Sequence, residues 1–329
     1  MKRTVFLVVF CMMMGCFLTS NSLAEDAAAF YKGNTITVLI PTSPGGGFDL
    51  VSRAIAPYLE KYTGAKTLLQ NGKTILSQNQ LYRSKPDGLS VILAGHGAKE
   101  ITSQLFKQQG ANFNWKEFTL LGRLPFSSSF FVVDKKLGWT KLSDLQGKEF
   151  FHGASSPFFG PLFAEALGWD GMKVVPGMGG GERAMGLRRG ELQSTIAGAG
   201  QVEKDSDVML PLVTTNKDPK FPAVPAITEV ALKGKEKWGE WAAAWDAVVY
   251  WSYASPGVPP DKAAFLEKAL EKTFNDPGFV ADMKKLKFEL SDHFVGSKEL
   301  TKITRTIADL TDKEIEEMKF VIRDKYQKK

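Results

Sequence analysis

The stretch 35–49, TITVLIPTSPGGGFD, decides the fold. Its first residues are apolar or β-branched and Pro41 closes them, so they predict a buried strand. A glycine-rich turn follows at 43–47, and apolar residues then recur at helical spacing over about 48–62. A strand, a glycine-rich turn and an amphipathic helix in this order are typical of the first unit of an open α/β sheet.

The same alternation continues along the rest of the chain. Strands predicted at 66–69 and 90–94, with a helix at 98–109, indicate parallel pairing with right-handed crossovers. The polar stretch 70–83 leads into the turn Pro86-Asp87-Gly88. The pattern then restarts, with short strands predicted at 130–133, 149–151, 173–175, 193–197 and 208–213 and helices over 162–167 and 181–189. A long strand at 246–253 precedes a helical end.

Two α/β halves followed by returning helices predict two lobes joined by two crossings, near Leu124 and near Tyr250. The first lobe is expected to contain residues 25–124 and 250–329, and the second residues 125–249. Each lobe is expected to be a mixed, mostly parallel sheet flanked by helices. A cleft between two hinged lobes is a common site for a small ligand.

The first residues have the pattern of a secretory signal peptide. A positively charged start, the uncharged run 5–18 and a small-residue ending predict export with cleavage after Ala24. The uncharged run is shorter than the ~20 residues that a membrane span needs. A lipoprotein signal, with Cys16 as the lipidation point, is the alternative. Cys11 and Cys16 both lie in this segment, so the exported chain has no disulfide or thiol chemistry.

Composition and charge exclude several classes of protein. The chain has 329 residues, of which 43% are hydrophobic and 24% charged, as in ordinary globular proteins. A net charge of +6 without a visible basic stripe argues against nucleic acid as a partner. No two histidines have the spacing of metal ligands, so we expect neither a metal nor another cofactor.

The first glycine-rich turn carries the functional prediction. Turns between the carboxyl end of a strand and a helix bind ligands in open α/β sheets, and the unpaired amides of the helix start favour an anion. The turn is neither a P-loop nor a dinucleotide fingerprint. The simpler alternative is a tight turn in which Asp49 caps the helix. The candidate ligand-binding residues here are Ser43, Pro44, Gly45, Gly46, Gly47, Phe48 and Asp49.

A second glycine cluster repeats this arrangement in the other half, so that two opposed turns can hold two ends of one ligand. The alternative is a flexible loop. Its candidate residues are Gly177, Met178, Gly179 and Gly180, and the candidates that follow two other strands are His96, Gly97, Ser155 and Ser156. Arg183, Arg188 and Arg189 add attraction for anions, with at least two of them expected to be surface charges.

No convincing catalytic constellation appears, and we expect no catalytic residues. The segment around Ser155 lacks the final glycine of a nucleophile elbow. An enzyme acting on a carboxylate is the least favoured alternative. It requires His96, His152 or Asp49 to be placed so that two of them share a proton.

Motifs along nearly the whole chain resemble those of one family. They are, in order, the opening run through Asp49 with Arg53 after it, Pro86-Asp87-Gly88 before a strand, Val175-Pro176 before Gly179, Gly190-Glu191-Leu192, Val224-Pro225 with Thr228-Glu229, and ASPGVP at 254–259 before a helix. In this order they resemble the substrate-binding receptors of tripartite tricarboxylate transporters, the Bug family.

The resemblance implies a two-lobed periplasmic binding protein, type II-like, that is monomeric. Such a receptor binds a small organic anion, usually a carboxylate, and delivers it to a permease of one large and one small membrane subunit. The family's two glycine turns, matching those at Gly45 and Gly179, meet the ligand's carboxylate ends. Departures from the family pattern, Met178 and Trp251 among them, favour an aromatic or monocarboxylate solute. A receptor that docks on a membrane sensor instead of a permease is the alternative.

Overall fold

The computed structural model describes residues 26–126, 128–288, 290 and 294–327. The predicted signal peptide, with its cleavage point at Ala24 and both cysteines, lies outside the described residues. Within these ranges no helix has the length and apolar character needed to cross a membrane.

The strands of the described chain form two five-stranded mixed sheets. In chain order they are β1 (Thr35–Ile40), β2 (Lys66–Asn71), β3 (Ser90–His96), β4 (Phe118–Arg123), β5 (Ser129–Asp134), β6 (Phe150–Gly153), β7 (Met172–Val175), β8 (Ser194–Gly198), β9 (Met209–Thr214) and β10 (Val249–Pro256). The first sheet has the order β2-β1-β3-β10-β4 and the second β7-β6-β8-β5-β9.

The pairing follows the predicted alternation. In the first sheet β1 is parallel to β2 and β3, while β10 is antiparallel to β3 and β4. In the second, β6 is parallel to β7 and β8, while β5 is antiparallel to β8 and β9. Two helix-flanked mixed sheets confirm the predicted α/β, two-lobed binding-protein fold.

Helices cover both sheets. They are α1 (Gly47–Thr63), α2 (Thr74–Tyr82), α3 (Gly97–Leu105), α4 (Phe159–Leu167), α5 (Gly180–Arg188), α6 (Ala199–Lys204), α7 (Ile227–Val230), α8 (Glu236–Asp246), α9 (Pro260–Phe274), α10 (Pro277–Lys285), α11 (Ser297–Ala308) and α12 (Asp312–Phe320). A helical segment at 26–31 precedes them, and a π-helical turn, Val321–Lys325, follows them.

Several elements differ from the prediction: helices α6, α7 and α8 were not predicted, and three further elements also differ. Helix α2 lies in the polar stretch 70–83, where no helix was predicted. The polar residues on its buried face form hydrogen bonds with distant parts of the chain: Gln78 Nε2 donates to Tyr253 Oη at 2.5 Å, and Asn79 Nδ2 to the Gly110 carbonyl at 2.7 Å. Strand β4 was not predicted. The predicted strand start at 246 is wrong, because Asp246 ends helix α8 and β10 begins at Val249.

The core is continuous between the sheets, and helix α8 packs against both α4 and α11. Its tryptophans, Trp238, Trp241 and Trp245, are buried, and so is Trp251 in β10.

The chain passes between the sheets from β4 to β5 and again before β10. The last described residues also contact the second sheet: the Val174 amide donates to the Tyr326 carbonyl at 2.7 Å, and Gln327 forms a β-bridge with Val174. Residues 326 and 327 therefore lie on the second sheet. The lobe boundaries given above stay a prediction.

Candidate functional site

The first glycine turn lies at the edge of its sheet from which the chain crosses to the other lobe. Strands β1 and β3 are parallel, so the turn after Ile40 and the end of β3 at His96 share one edge. His96 is paired with Val249, and Arg123 is paired with Trp251. Strand β4 therefore ends, and β10 begins, at this same edge.

The second glycine turn lies at the corresponding edge of the other sheet, although it follows the outermost strand β7 and not β6, which has the position of β1. Ser129, where the chain enters β5, is paired with Gly198 at the end of β8. Strands β6 and β7 run parallel to β8, so Gly153 and Val175 also end at this edge. The segments after them contain the remaining candidates. All the predicted segments thus lie on the two sheet edges that the crossings join.

Asp49 organises the first turn from within. Gly45 has a φ of +84°, and its amide donates to Asp49 Oδ2 at 2.8 Å. Asp49 Oδ1 accepts from Arg53 Nε at 2.9 Å and from Asn71 Nδ2 at 2.7 Å. Burial alone raises the pKa of Asp49, but these hydrogen bonds outweigh it and lower that pKa. The carboxylate therefore stays ionised and holds the turn.

The start of helix α1 remains open. Its N-cap is Gly46, which receives no side-chain cap, so Asp49 does not cap the helix as the simpler alternative required. Ser43, Pro44, Gly45 and Gly46 are exposed, and Gly47 and Phe48 are partly exposed. The first-turn amides of an α-helix have no partner within the helix, so they are available to an acceptor that enters here.

Aromatic side chains lie beside this turn. Phe48 stacks on His96 with ring centroids 4.8 Å apart and contacts Tyr250 at 4.7 Å. Tyr250 stacks on Phe126 at 4.3 Å, and Phe288 lies 5.7 Å from Phe126. We call these five residues the aromatic group. Tyr250 lies at the predicted second crossing, whereas nothing in the sequence pointed to Phe126 or Phe288.

A buried carboxylate fixes the end of β3. Glu100 accepts from the His96 amide at 2.9 Å, from Trp251 Nε1 at 2.7 Å and from Tyr253 Oη at 2.9 Å. Burial raises the pKa of Glu100. Gly97 is also required, because a Cβ there would lie 2.3 Å from the Val248 carbonyl oxygen.

His96 is neutral. Burial, and then the charge of Lys99, lowers its pKa to about 4. Its Nδ1 atom is buried and has no hydrogen-bond partner among the described residues. The first lobe therefore offers amides and an uncharged aromatic surface.

The second turn is held by one main-chain bond and by two bonds to side chains. The Met178 amide donates to the Ala154 carbonyl at 3.0 Å, and the Gly179 amide to Glu182 Oε2 at 2.6 Å. Gln201 Nε2 donates to the Gly180 carbonyl at 2.9 Å. Gly177 and Gly179 are exposed and Met178 and Gly180 partly exposed; Ser155 and Ser156 are also exposed.

The three arginines of this region differ. Arg188 pairs with Asp205 and Asp207, each at 2.8 Å, and Arg189 lies 3.9 Å from Glu191. Both are exposed, as expected for at least two of the three. Arg183 is partly buried, and its Nη1 donates to the Ile196 carbonyl at 2.9 Å.

Each of the three side chains that an enzyme would require, those of Asp49, His96 and His152, is engaged in other contacts. His152 is fully buried, lies 3.0 Å from Ser194 Oγ and stacks on Phe131, so it does not line the cleft. Burial lowers its pKa to about 3. Asp49 is bound to its own turn, and no hydrogen bond joins it, His96 and His152 within the described chain. The described residues also contain no metal-binding group of three His, Cys, Asp or Glu.

Comparisons with known proteins agree with this geometry. No protein-family model matches the chain. A curated protein from Agrobacterium vitis, the UPF0065 protein in the TAR-I ttuE-ttuC' intergenic region, is 24% identical over 276 residues, covering 77% of this chain and 74% of that protein.

Solved structures share the fold over most of their length. A ligand-free TctC solute-binding protein from Polaromonas superposes with a TM-score of 0.66 at 16% identity, over 85% of this chain and all of that one. MatC from Rhodopseudomonas palustris, with bound malate, gives 0.56 at 19% identity, over 88% and 99%. The fold is that of periplasmic solute-binding proteins. At the level of the fold, the predicted resemblance is confirmed by these structural neighbours.

Proposed function

We propose that this protein is an exported receptor that binds a small organic anion, a carboxylate, between its lobes and delivers it to a tripartite tricarboxylate-type permease. The observation that carries the proposal is the position of both glycine turns, each at the sheet edge from which the crossings run. Free amides at the start of α1 supply donors for an anion. The malate bound to MatC is consistent with a carboxylate ligand.

The solute we propose has a flat or apolar body. Phe48 and Tyr250 form an uncharged surface beside the first turn, and the neutral His96 extends it. Rings stack on such a surface, and apolar burial there adds to the few charge-assisted hydrogen bonds that hold the carboxylate. We propose that the ligand is bound by the fifteen candidate residues given in the sequence analysis.

A thermal-shift experiment tests the proposal. Malate, adipate and benzoate are each compared with the corresponding neutral amide. At about 100 times Kd a ligand stabilises by ~2.7 kcal/mol, which raises Tm on the order of 5 °C. The carboxylate is expected to stabilise and its amide is not. A folded protein that none of the three carboxylates stabilises contradicts the proposal.

The partner needs a separate measurement. Deletion of the gene is expected to abolish uptake of the stabilising solute by cells, and restoring the gene is expected to recover it. Normal uptake with loss of the transcriptional response to the solute favours docking on a membrane sensor.

A further inference from the structure

Arg183 is a cation without a carboxylate partner in the described part of the chain. Its Nη1 donates to the Ile196 carbonyl, and its Nε is buried with no hydrogen-bond partner. Burial lowers the pKa of Arg183, and no described acid opposes this effect. Arg188, on the same helix, is instead neutralised by Asp205 and Asp207.

An unpaired, partly desolvated charge is unfavourable, so its presence needs a compensating partner. The main-chain carbonyl of Ile196 satisfies one donor of the guanidinium but carries no net negative charge. A bound anion would supply the missing charge.

Arg183 lies where such an anion would enter. It belongs to the first turn of α5, directly after the second glycine turn. Its Cγ is 3.4 Å from the position that a Cβ on Gly153 would occupy. Gly153 ends β6, and Ile196 lies near the end of β8, so the guanidinium stem is at the crossing edge of the second sheet.

We infer that Arg183 is the counter-ion of the bound solute, pairing with its carboxylate in the second lobe while the uncharged body of the solute faces the aromatic group of the first. The inference rests on the proposed function and adds a binding polarity to it. A planar guanidinium can hold a carboxylate through two parallel hydrogen bonds, which a lysine ammonium cannot reproduce.

Isothermal titration calorimetry with malate, adipate and benzoate tests the inference on the wild type and on R183Q, R183K and R189Q. Loss of a charge-assisted hydrogen bond weakens binding by about tenfold or more. We expect that loss in R183Q for every carboxylate that binds the wild type, a smaller loss in R183K, and affinity within about twofold in R189Q. R189Q is the matched control, because Arg189 is exposed at the end of the same helix.

The Tm of the ligand-free variants distinguishes a binding role from a structural one. Removing an unpaired buried charge is expected to leave the Tm of R183Q at or above that of the wild type. A folded R183Q that binds within threefold of the wild type overturns the inference. So does a large fall in its Tm, because Arg183 then stabilises the fold itself. A wild type that binds none of the three carboxylates contradicts the proposed function instead.

Discussion

In the first lobe the strand ends meet an uncharged aromatic surface, whereas in the second they meet an exposed glycine turn beside Arg183, a cation with no carboxylate partner among the described residues. Both turns lie at the sheet edge that the crossings join, but the first follows β1, the second strand of its sheet, and the second follows β7, the outermost strand of its own. A shared edge therefore does not give equal chemistry. The backbone places both turns at the crossings, and the side chains around each turn decide what it can hold.

We call the end of β3 at His96 and Gly97 the first corner, and the segments after β6 and β7, 154–156 and 177–181, the second corner. The two corners differ in the bonds that hold them. In the first corner the buried Glu100 carboxylate accepts hydrogen bonds from three neutral donors. The exposed second corner is held by two main-chain bonds, in which the Ala154 amide donates to the Val175 carbonyl and the Met178 amide to the Ala154 carbonyl, and by the side chains of Glu182 and Gln201. Substitutions should therefore affect stability strongly in the first corner and weakly in the second.

The largest expected effect is that of Glu100→Ala. It removes the acceptor of the His96 amide, Trp251 Nε1 and Tyr253 Oη, so three buried donors lose their partner. We expect a loss of about 3–4 kcal/mol in the free energy of unfolding, measured with urea. Glu100→Gln should recover part of it. The exposed control Ser156→Ala should change stability by less than about 0.5 kcal/mol. Equal losses of stability in Glu100→Ala and Ser156→Ala would show that the two corners do not differ.

A matched pair of glycines gives the next largest effect. Gly97 and Gly181 both lie in the first turn of a helix, but a Cβ on Gly97 would lie 2.3 Å from the Val248 carbonyl oxygen, and one on Gly181 would have open space. Gly97→Ala should destabilise by about 2 kcal/mol through overpacking. Gly181→Ala should be neutral or slightly stabilising, because alanine favours helix. Urea unfolding of both variants checks this, and a neutral Gly97→Ala would contradict the close packing of the first corner.

The last prediction concerns pH and one buried histidine in each lobe. Its effect is the smallest when it is counted per pH unit. His96 and His152 have pKa values lowered to about 4 and about 3, so below about pH 6.5 the unfolded chain binds more protons than the folded one. Their contribution to stability is therefore complete above pH 6.5 and is lost as the pH falls. We expect a loss of about 1 kcal/mol per histidine for each pH unit below 6.

Unfolding measured from pH 7 to pH 3 in His96→Gln and His152→Gln tests this expectation. Each substitution should reduce the pH slope by about half the histidine contribution, with the His96 part ending near pH 4 and the His152 part continuing below it. If a variant has the same slope as the wild type, the imidazole that it lacks is accessible to protons in the folded wild-type protein.

Much of the fold was predictable from local patterns. The strand Thr35–Ile40 has the predicted bounds, and the helix after it begins within one residue of the prediction. Helix α2 was missed because its buried face is polar, and its side chains form hydrogen bonds with distant residues such as Tyr253 and Gly110. The end of α8 was mistaken for a strand, because an apolar run such as AVVYW at 247–251 does not show where a helix stops.

The candidate site divides in the same way. The glycine turns were visible because glycine between a strand and a helix is itself a signal. Asp49 was also a candidate from the sequence, but its role in the turn depends on a hydrogen bond from Asn71, which lies at the end of β2. Phe126 and Phe288 had no local signal, since only folding brings them to Tyr250.

The sequence by itself determined the alternation of strands and helices, the two glycine turns and the resemblance to a receptor family, because each of these is written in neighbouring residues. The tertiary structure alone decided which charges are neutralised and which are not. Arg183 and Arg188 lie on the same helix, but folding brings Asp205 and Asp207 to Arg188 and, among the described residues, no carboxylate to Arg183. The energy of a charge depends on its burial and on its neighbours in space, which the order of residues does not specify.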